Sequence, residues 1–366
     1  MLSEGMQSKG HSVSIWKPEP VLSNYSSLGG PKKWLGYFDQ YIAFPRTVRQ
    51  RLQSCPPDTL FVFTDHALGP WVPLVANRPH VIHCHDFLAQ YSAKNKIAEN
   101  RTGTTGKIYQ SYIRRGYSMG RNFISVSHKT KADLHYFLER EPALSEVVYN
   151  GVNPLYHPFS FVEAREKLGV RAKLNVLSGY LLHVGGNQWY KNREGVIELY
   201  NTWRREYNGD LPLLLIGEPP SKDLMKLHEE SPFREDIHFI SGLEDEYLVY
   251  AYAGASLFLF PSLAEGFGWP IVEAMACGCP VITTGEDPMK EVGGKAAWYI
   301  GRRTEDNASE WASDSSAIVN RVLAVSGANR EQVATAGFEN VKRFGYENTM
   351  QRIEQLYEQI LKSQLI

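Results

Sequence analysis

Cysteine is scarce in this chain. Four thiols among 366 residues, Cys55, Cys84, Cys277 and Cys279, show no paired spacing of the kind that staples a small secreted scaffold, which points to a reduced, cytosolic compartment. Cys277-Gly-Cys279 has no second Cys or His pair at zinc-ligand spacing, so its thiols read as small buried residues. No apolar run is long enough to span a bilayer, and the first residues lack the charged and apolar regions of a signal peptide. An excess of one charge is missing too: 39 Lys and Arg stand against 40 Asp and Glu, net −1, which removes the global reason to expect nucleic acid. There is no Asp-x-Asp pair to hold a divalent metal, and Glu244-Asp-Glu246 has the character of a helix start. No strand runs into Gly-x-Gly-x-x-Gly, which argues against a dinucleotide dehydrogenase.

What is present is an ordinary composition, 43% hydrophobic and 22% charged, on a chain long enough for two domains with separate cores. The most informative stretch runs from Phe260 to Ile282. The apolar run Ser256–Phe260 ends in a loop with Gly266 and Gly268, and a helix follows from Pro270 to Gly278. Pro280 then leads into the next strand, from Val281. Strand, glycine loop and helix start together make an anion site, because glycines let backbone amides approach closely and the helix N-terminus adds unpaired N–H groups. Glu265 precedes the glycines and Glu273 lies one turn into the helix. Taken alone, the pair also fits one solvated carboxylate and one that favours the helix dipole.

Glu265-Gly-Phe-Gly with Glu273 eight positions later resembles the E-x7-E signature of retaining glycosyltransferases of the GT-B fold, the large family numbered four. The resemblance implies an α/β protein of two Rossmann-like, doubly wound domains facing a central cleft. Residues 1–154 would form the acceptor-side domain, 155–345 the nucleotide-sugar domain, and 346–366 a helix crossing back to the first domain. It further implies that Glu265 meets the donor sugar's hydroxyls, that Glu273 holds the ribose, and that the amides of Gly266, Phe267 and Gly268 face the sugar and diphosphate. In Gly179–Asn192, another strand, glycine loop and helix start, the resemblance assigns Lys191 to the diphosphate, with Gly185, Gly186 and Asn187 lining the donor side. The family's arginine position falls on Gly186 or Asn187, so one cation is missing, and Arg193 or Asn187 is expected to replace it in part. The backbone after the run Ile237–Leu243 is expected to bracket the base, which places Leu243 there. His85, before Asp86 at the end of the run from Val81, resembles the family's histidine that reaches the donor sugar, and His83 is left as structural.

The implied activity is metal-independent hexosyl transfer with retention, from a UDP- or GDP-linked sugar to a glycan or lipid-linked acceptor, with no resident cofactor. A same-fold phosphorylase and a non-catalytic nucleotide-sugar-binding protein stay open. In the family a strand and a glycine-rich loop precede the helix at Leu2–Lys9, so a truncated chain or displaced start is expected, with a natural variant as the alternative. Gly10–Trp16 reads as a turn into a strand. Residues 17–58, with Trp34, Tyr37, Phe38 and Tyr41, read either as a long connection over the acceptor side or as packed aromatics. Asp65 and His66 fit either acceptor contact or a helix cap. From Lys94 to Arg121 seven Lys and Arg face the single Glu99, which suits either peripheral contact with an anionic membrane or a solvated face. Gly103-Thr-Thr-Gly-Lys107 mimics part of a phosphate-binding loop but has Arg101 at the first glycine position and Ile108 after the lysine.

Overall fold

In the computed structural model, which describes residues 2–20 and 35–364, the chain separates into two units: Met1–Val148 with Glu347–Ile366, and Tyr149–Tyr346. The first division falls before the expected 154/155 boundary. Val152 donates its N–H to the Phe344 carbonyl and bridges to Gly345, which ties the segment after Val148 to unit 2.

Unit 1 carries a parallel sheet of β1 (Phe61–Phe63), β2 (His80–Cys84), β3 (Asn122–Ser125) and β4 (Leu144–Val147), paired in that order. Its labelled helices are α1 (Leu2–Ser8), α2 (Phe44–Leu52), α3 (Thr104–Tyr117) and α4 (His128–Phe137). The period-two alternation of β2 sends Ile82 and Cys84 into a core with Ile113 and Tyr117 of α3 and Leu134 and Phe137 of α4. Its opposite face is covered by the long C-terminal helix Tyr346–Gln364, where His83 Nε2 and Tyr357 Oη share a hydrogen bond of 2.8 Å. His83 is therefore a structural residue.

One expectation needs correction in this unit, and at other points the structure decides between alternatives that the sequence left open. Residues 12–16 form no strand, and Trp16 instead lays its ring against Phe61 at 5.7 Å. Alternation alone makes no strand without a partner to satisfy its ladder groups. Within 17–58, where residues 21–34 and with them Trp34 lie outside the described residues, the chain is not a bare connection. It forms a π-helical turn Asp39–Ala43 and then α2, with Pro45 in the first turn of that helix. β4 is fixed by its register to β3, which runs from Asn122↔Leu144 to Ser125↔Val147. Asp65 is a helix cap, accepting the Ala67 N–H at the start of the 3-10 helix His66–Val75. The Gly103–Lys107 segment opens α3.

Unit 2 holds a six-stranded parallel sheet. In chain order its strands are β5 (Leu181–Val184), β6 (Leu213–Ile216), β7 (Ile237–Ile240), β8 (Leu257–Phe260), β9 (Val281–Thr284) and β10 (Trp298–Ile300), and across the sheet they run β10-β9-β8-β5-β6-β7. Its labelled helices are α5 (Arg193–Tyr207), α6 (Asp245–Gly254), α7 (Trp269–Ala276), α8 (Ala308–Leu323) and α9 (Gly327–Val341); the C-terminal helix described with unit 1 is α10 (Tyr346–Gln364). One face of this sheet packs Leu181, Leu213, Leu257 and Ile282 against α5 and α8. The chain winds outward from β5 through β6 to β7, then returns to lay β8 beside β5 and winds the other way. The loops after β5 and β8 thus leave the sheet toward opposite faces, and a crevice opens between them at the carboxyl ends of these strands.

Candidate active site

The two glycine loops singled out in the sequence meet at this switch point. β5 and β8 are neighbours, with Leu181 opposite Leu257 and Leu182 opposite Phe258. Leu263 N–H donates to the Tyr190 carbonyl at 2.7 Å, and Asn192 Nδ2 donates to the Pro261 carbonyl at 2.9 Å. Between those ties Lys191 Nζ lies 2.7 Å from Glu265 Oε1, with the two side chains 15% and 10% exposed. The ammonium also sits 5.1 Å from the centre of the Phe260 ring. A cation and a carboxylate are therefore held side by side at the carboxyl ends of the central strands.

The loop carrying Lys191 is shaped from behind. Gly185 N–H donates to the Ile216 carbonyl, and Gly217, at φ 148°, lies so close that an added Cβ would sit 2.1 Å from the Gly185 carbonyl oxygen. Glu218, one residue further, accepts the Asn187 N–H at 3.0 Å, and Asn187 Nδ2 donates to the Pro219 carbonyl. Gly186 lies between these anchors, against the Gln188 side chain. Arg193 braces this loop from behind through Nη1, while its Nε and Nη2 make no hydrogen bond among the described residues. It is buried, with Nη1 donating to Asn187 Oδ1 at 2.6 Å and to the Glu218 carbonyl at 3.0 Å, and its guanidinium lies over Phe239. The reason is helical phase: Arg193, Val196, Ile197 and Tyr200 share the buried face of α5, and that spacing was available in the sequence. Beneath Gly185, His183 donates its Nδ1–H to the Leu259 carbonyl. Burial holds its pKa down at about 3, so the ring is neutral.

The second glutamate is set differently. Gly268 takes φ 101°, a left-handed conformation that suits glycine, and so turns the chain into α7. Phe267 points away from the loop into a ring cluster with Trp269 and Phe344, so only its backbone is available at the loop. Glu273, on the second turn of α7, accepts a hydrogen bond from Tyr252 Oη at 2.9 Å and a second from the Tyr156 hydroxyl. Burial raises its pKa to about 7, against the lowering effect of the two hydroxyls and of Lys191, while Asp245 adds to the rise. Tyr252 lies on α6 and Tyr156 in the segment after Val148, and neither carries a local sequence signal tying it to Glu273. Glu218 was findable, as the residue after a glycine at the crevice end of a strand. Leu243 lies in the turn after β7, at the carboxyl edge of the same sheet.

In unit 1, His85 is exposed just past the end of β2, where its Nε2 hydrogen-bonds the Thr64 carbonyl at 2.8 Å. Asp86 accepts the Leu88 N–H. Among the described residues, no three His, Cys, Asp or Glu side chains converge to hold a metal, and no helix is long and apolar enough to cross a membrane.

A family model described as glycosyl transferases group 1 matches residues 165–313, and one described as Glycosyltransferase Family 4 matches residues 1–154. The chain belongs to glycosyltransferase family 4. This glycosyltransferase is similar to O-antigen chain mannosyltransferase B of Escherichia coli, 34% identical over 174 residues that span 46% of this chain and 43% of that protein. It is also similar to O-antigen chain mannosyltransferase RfbU of Salmonella typhimurium, 24% identical over 274 residues, spanning 74% of this chain and 69% of that one. The solved structure of Anabaena Alr3699/HepE in complex with UDP and glucose matches it with a TM-score of 0.69 at 17% identity, covering 97% of this chain and 88% of that one. The glycosyltransferase has the two-domain GT-B fold.

Proposed function

We propose that this glycosyltransferase transfers a hexose, with retention and without a metal, from a UDP- or GDP-linked sugar to a glycan or lipid-linked acceptor in cell-envelope polysaccharide synthesis. The observation that carries the reading is the Lys191–Glu265 pair at the β5/β8 switch point. A nucleotide sugar presents an anionic diphosphate beside neutral hydroxyls, and this pair offers a cation beside an acceptor. Lys191 has three N–H donors and only one is engaged by Glu265, so two remain for diphosphate oxygens. The amides of Gly266, Phe267 and Gly268 at the start of α7 add fixed donors where charge develops on the leaving group. Glu265 accepts from the sugar hydroxyls and Glu273 from the ribose. Gly185, Gly186 and Asn187, braced by Arg193 and Glu218, form the wall behind the diphosphate, and Leu243 borders the base. His85 is assigned to the donor sugar on its resemblance to the family's histidine.

The named relatives support the sugar class and the envelope context, two of them being O-antigen mannosyltransferases. The UDP and glucose of the Anabaena structure support a nucleoside diphosphate donor. The test is thermal stabilisation by a panel of nucleotides and nucleotide sugars, with Glu273→Ala as control. Free donor at a hundred times its Kd stabilises by about 2.7 kcal/mol if it binds only the folded state. A rise in Tm confined to one base and lost in the variant is expected. No rise with any donor would overturn the reading.

A further inference from the structure

The segment after Val148 runs beside α7 and meets it at three points. Tyr149 lays its ring 6.2 Å from that of Phe267, just before the helix. The Tyr156 hydroxyl donates to Glu273 on the second turn, and the His157 backbone N–H faces the Cys277 thiol just past the last. Glu273 and Cys277, four positions apart, share one face of α7. The course of the segment is local in origin. Val152 N–H is tied to the Phe344 carbonyl at 2.8 Å. Asn153 Oδ1 then accepts the Leu155 N–H, and the Asn153 carbonyl accepts the Tyr156 N–H, both at 3.0 Å. Pro154 occupies the second position of this turn, where its fixed φ fits. Tyr252 approaches Glu273 from the last turn of α6, fully buried, with its ring edge-on to Phe258 at 5.3 Å and to Tyr156 at 5.9 Å.

A carboxyl as deeply buried as Glu273 reverts toward its neutral acid, and the acid gives up acceptor capacity to its own proton. Accepting both hydroxyls of a ribose takes the ionised form. Lys191 favours that form but is already paired with Glu265, and Asp245 on α6 opposes it. The two phenols are what remains to hold the charge. A carboxylate offers roughly four acceptor sites, so two tyrosine hydroxyls leave about two, the number that the 2′,3′-diol of a ribose fills. We propose that Tyr156 and Tyr252 are positioning residues for donor binding, their hydroxyls holding Glu273 as an oriented carboxylate whose remaining lone pairs face the ribose. Both act through Glu273, and the proposal rests on the assignment of that residue to the ribose. It makes the segment after Val148 part of the donor site, although no residue of that segment was expected there.

The test is the pH profile of donor affinity, measured by calorimetry on the full chain from about pH 5.5 to about pH 8.5. The probes are UDP-glucose and GDP-mannose, whose diphosphates hold no proton that titrates in this range, and the 2′,3′-dideoxyribose counterpart of whichever binds. The difference between the ribose and dideoxyribose donors isolates the diol. Burial pushes the Tyr156 and Tyr252 hydroxyls and the Cys277 thiol far up, so they keep their protons throughout, whereas Glu273 titrates at about 7. The ribose donor should therefore bind more tightly as pH rises, to a plateau that begins near that value, and the dideoxyribose donor should lack this rise. Removing a hydrogen bond to the ionised form favours the acid, so Tyr252→Phe should move the start of the plateau up by about one pH unit. Its affinity should lie about tenfold below wild type near pH 6 and within about twofold near pH 8.5. Tyr156→Phe, at a half-buried position in a turn, should move the plateau the same way and carries the test alone if Tyr252→Phe does not fold. A loss of affinity equal at every pH, or a plateau unmoved by the substitutions, would overturn the proposal, because the rings would then serve packing only. Identical profiles for the ribose and dideoxyribose donors in the wild type would instead overturn the assignment of Glu273 to the ribose, and the proposal with it.

Discussion

Replacing Glu273 by Gln should make the ligand-free protein more stable at alkaline pH while weakening donor binding. The carboxyl titrates at about 7 in the fold against an ordinary 4.5. At 1.36 kcal/mol per unit, its ionised form costs the fold roughly 3 kcal/mol relative to the unfolded chain. The folded state binds the proton more tightly, so this contribution favours folding most at acid pH. It declines as pH rises from about 4.5 to about 7, and the whole cost is present above that. Gln cannot ionise, and its amide oxygen still accepts the Tyr252 hydroxyl. Urea unfolding followed by tryptophan fluorescence should therefore find the two proteins close together near pH 5 and the variant ahead by up to roughly 3 kcal/mol near pH 8.5. Donor affinity should move the other way at pH 8.5, because a neutral amide is a poorer acceptor for two ribose hydroxyls than a carboxylate. A stability difference that is the same at both pH values would refute the argument, because titration of this group would then not be its source.

The ion pair at the crevice allows structural and functional roles to be separated. Lys191→Met should lose at least a hundredfold in transfer and also some stability, since it removes the cation beside the largely buried Glu265 carboxylate; adding Glu265→Gln should restore the stability but not the transfer, as unfolding and activity assays on both variants would establish. Gly217→Ala combines an unsuitable φ with a Cβ 2.1 Å from the Gly185 carbonyl. It should cost on the order of 3 kcal/mol and raise the donor KM by displacing the Lys191 loop, so wild-type stability in that variant would count against the close approach described above.

The crevice at the β5/β8 switch point was legible in the sequence because its signals are local. Glu265, the glycines and Glu273 lie within a single strand–loop–helix unit, and the run from Gly179 to Asn192 repeats the pattern. The fold places both loops at adjacent strands. Illegible features depended on distant partners. Tyr252 precedes Glu273 by 21 positions, on a different helix, and nothing in the residues around it signals that its hydroxyl donates to a carboxylate. Arg193 was expected to replace a missing cation in part, and its spacing to Val196, Ile197 and Tyr200, which puts it on the buried face of α5, could be read beforehand. Residues 12–16 had the alternation of a strand, and alternation does not report whether a neighbouring ladder exists.

The hydrogen bond between His83 and Tyr357 spans 274 positions, and it fixes an order of events during synthesis. Unit 2 is inserted within unit 1 in the chain, so its sheet can form as soon as its own residues emerge. The first sheet waits with one face of β2 uncovered until α10 leaves the ribosome. At roughly 5–20 residues per second that interval is on the order of ten to fifty seconds. During it the nascent chain displays the Val81 and His83 face of β2, which is buried in the finished protein, and this makes it the stage at which a holding chaperone has most to protect.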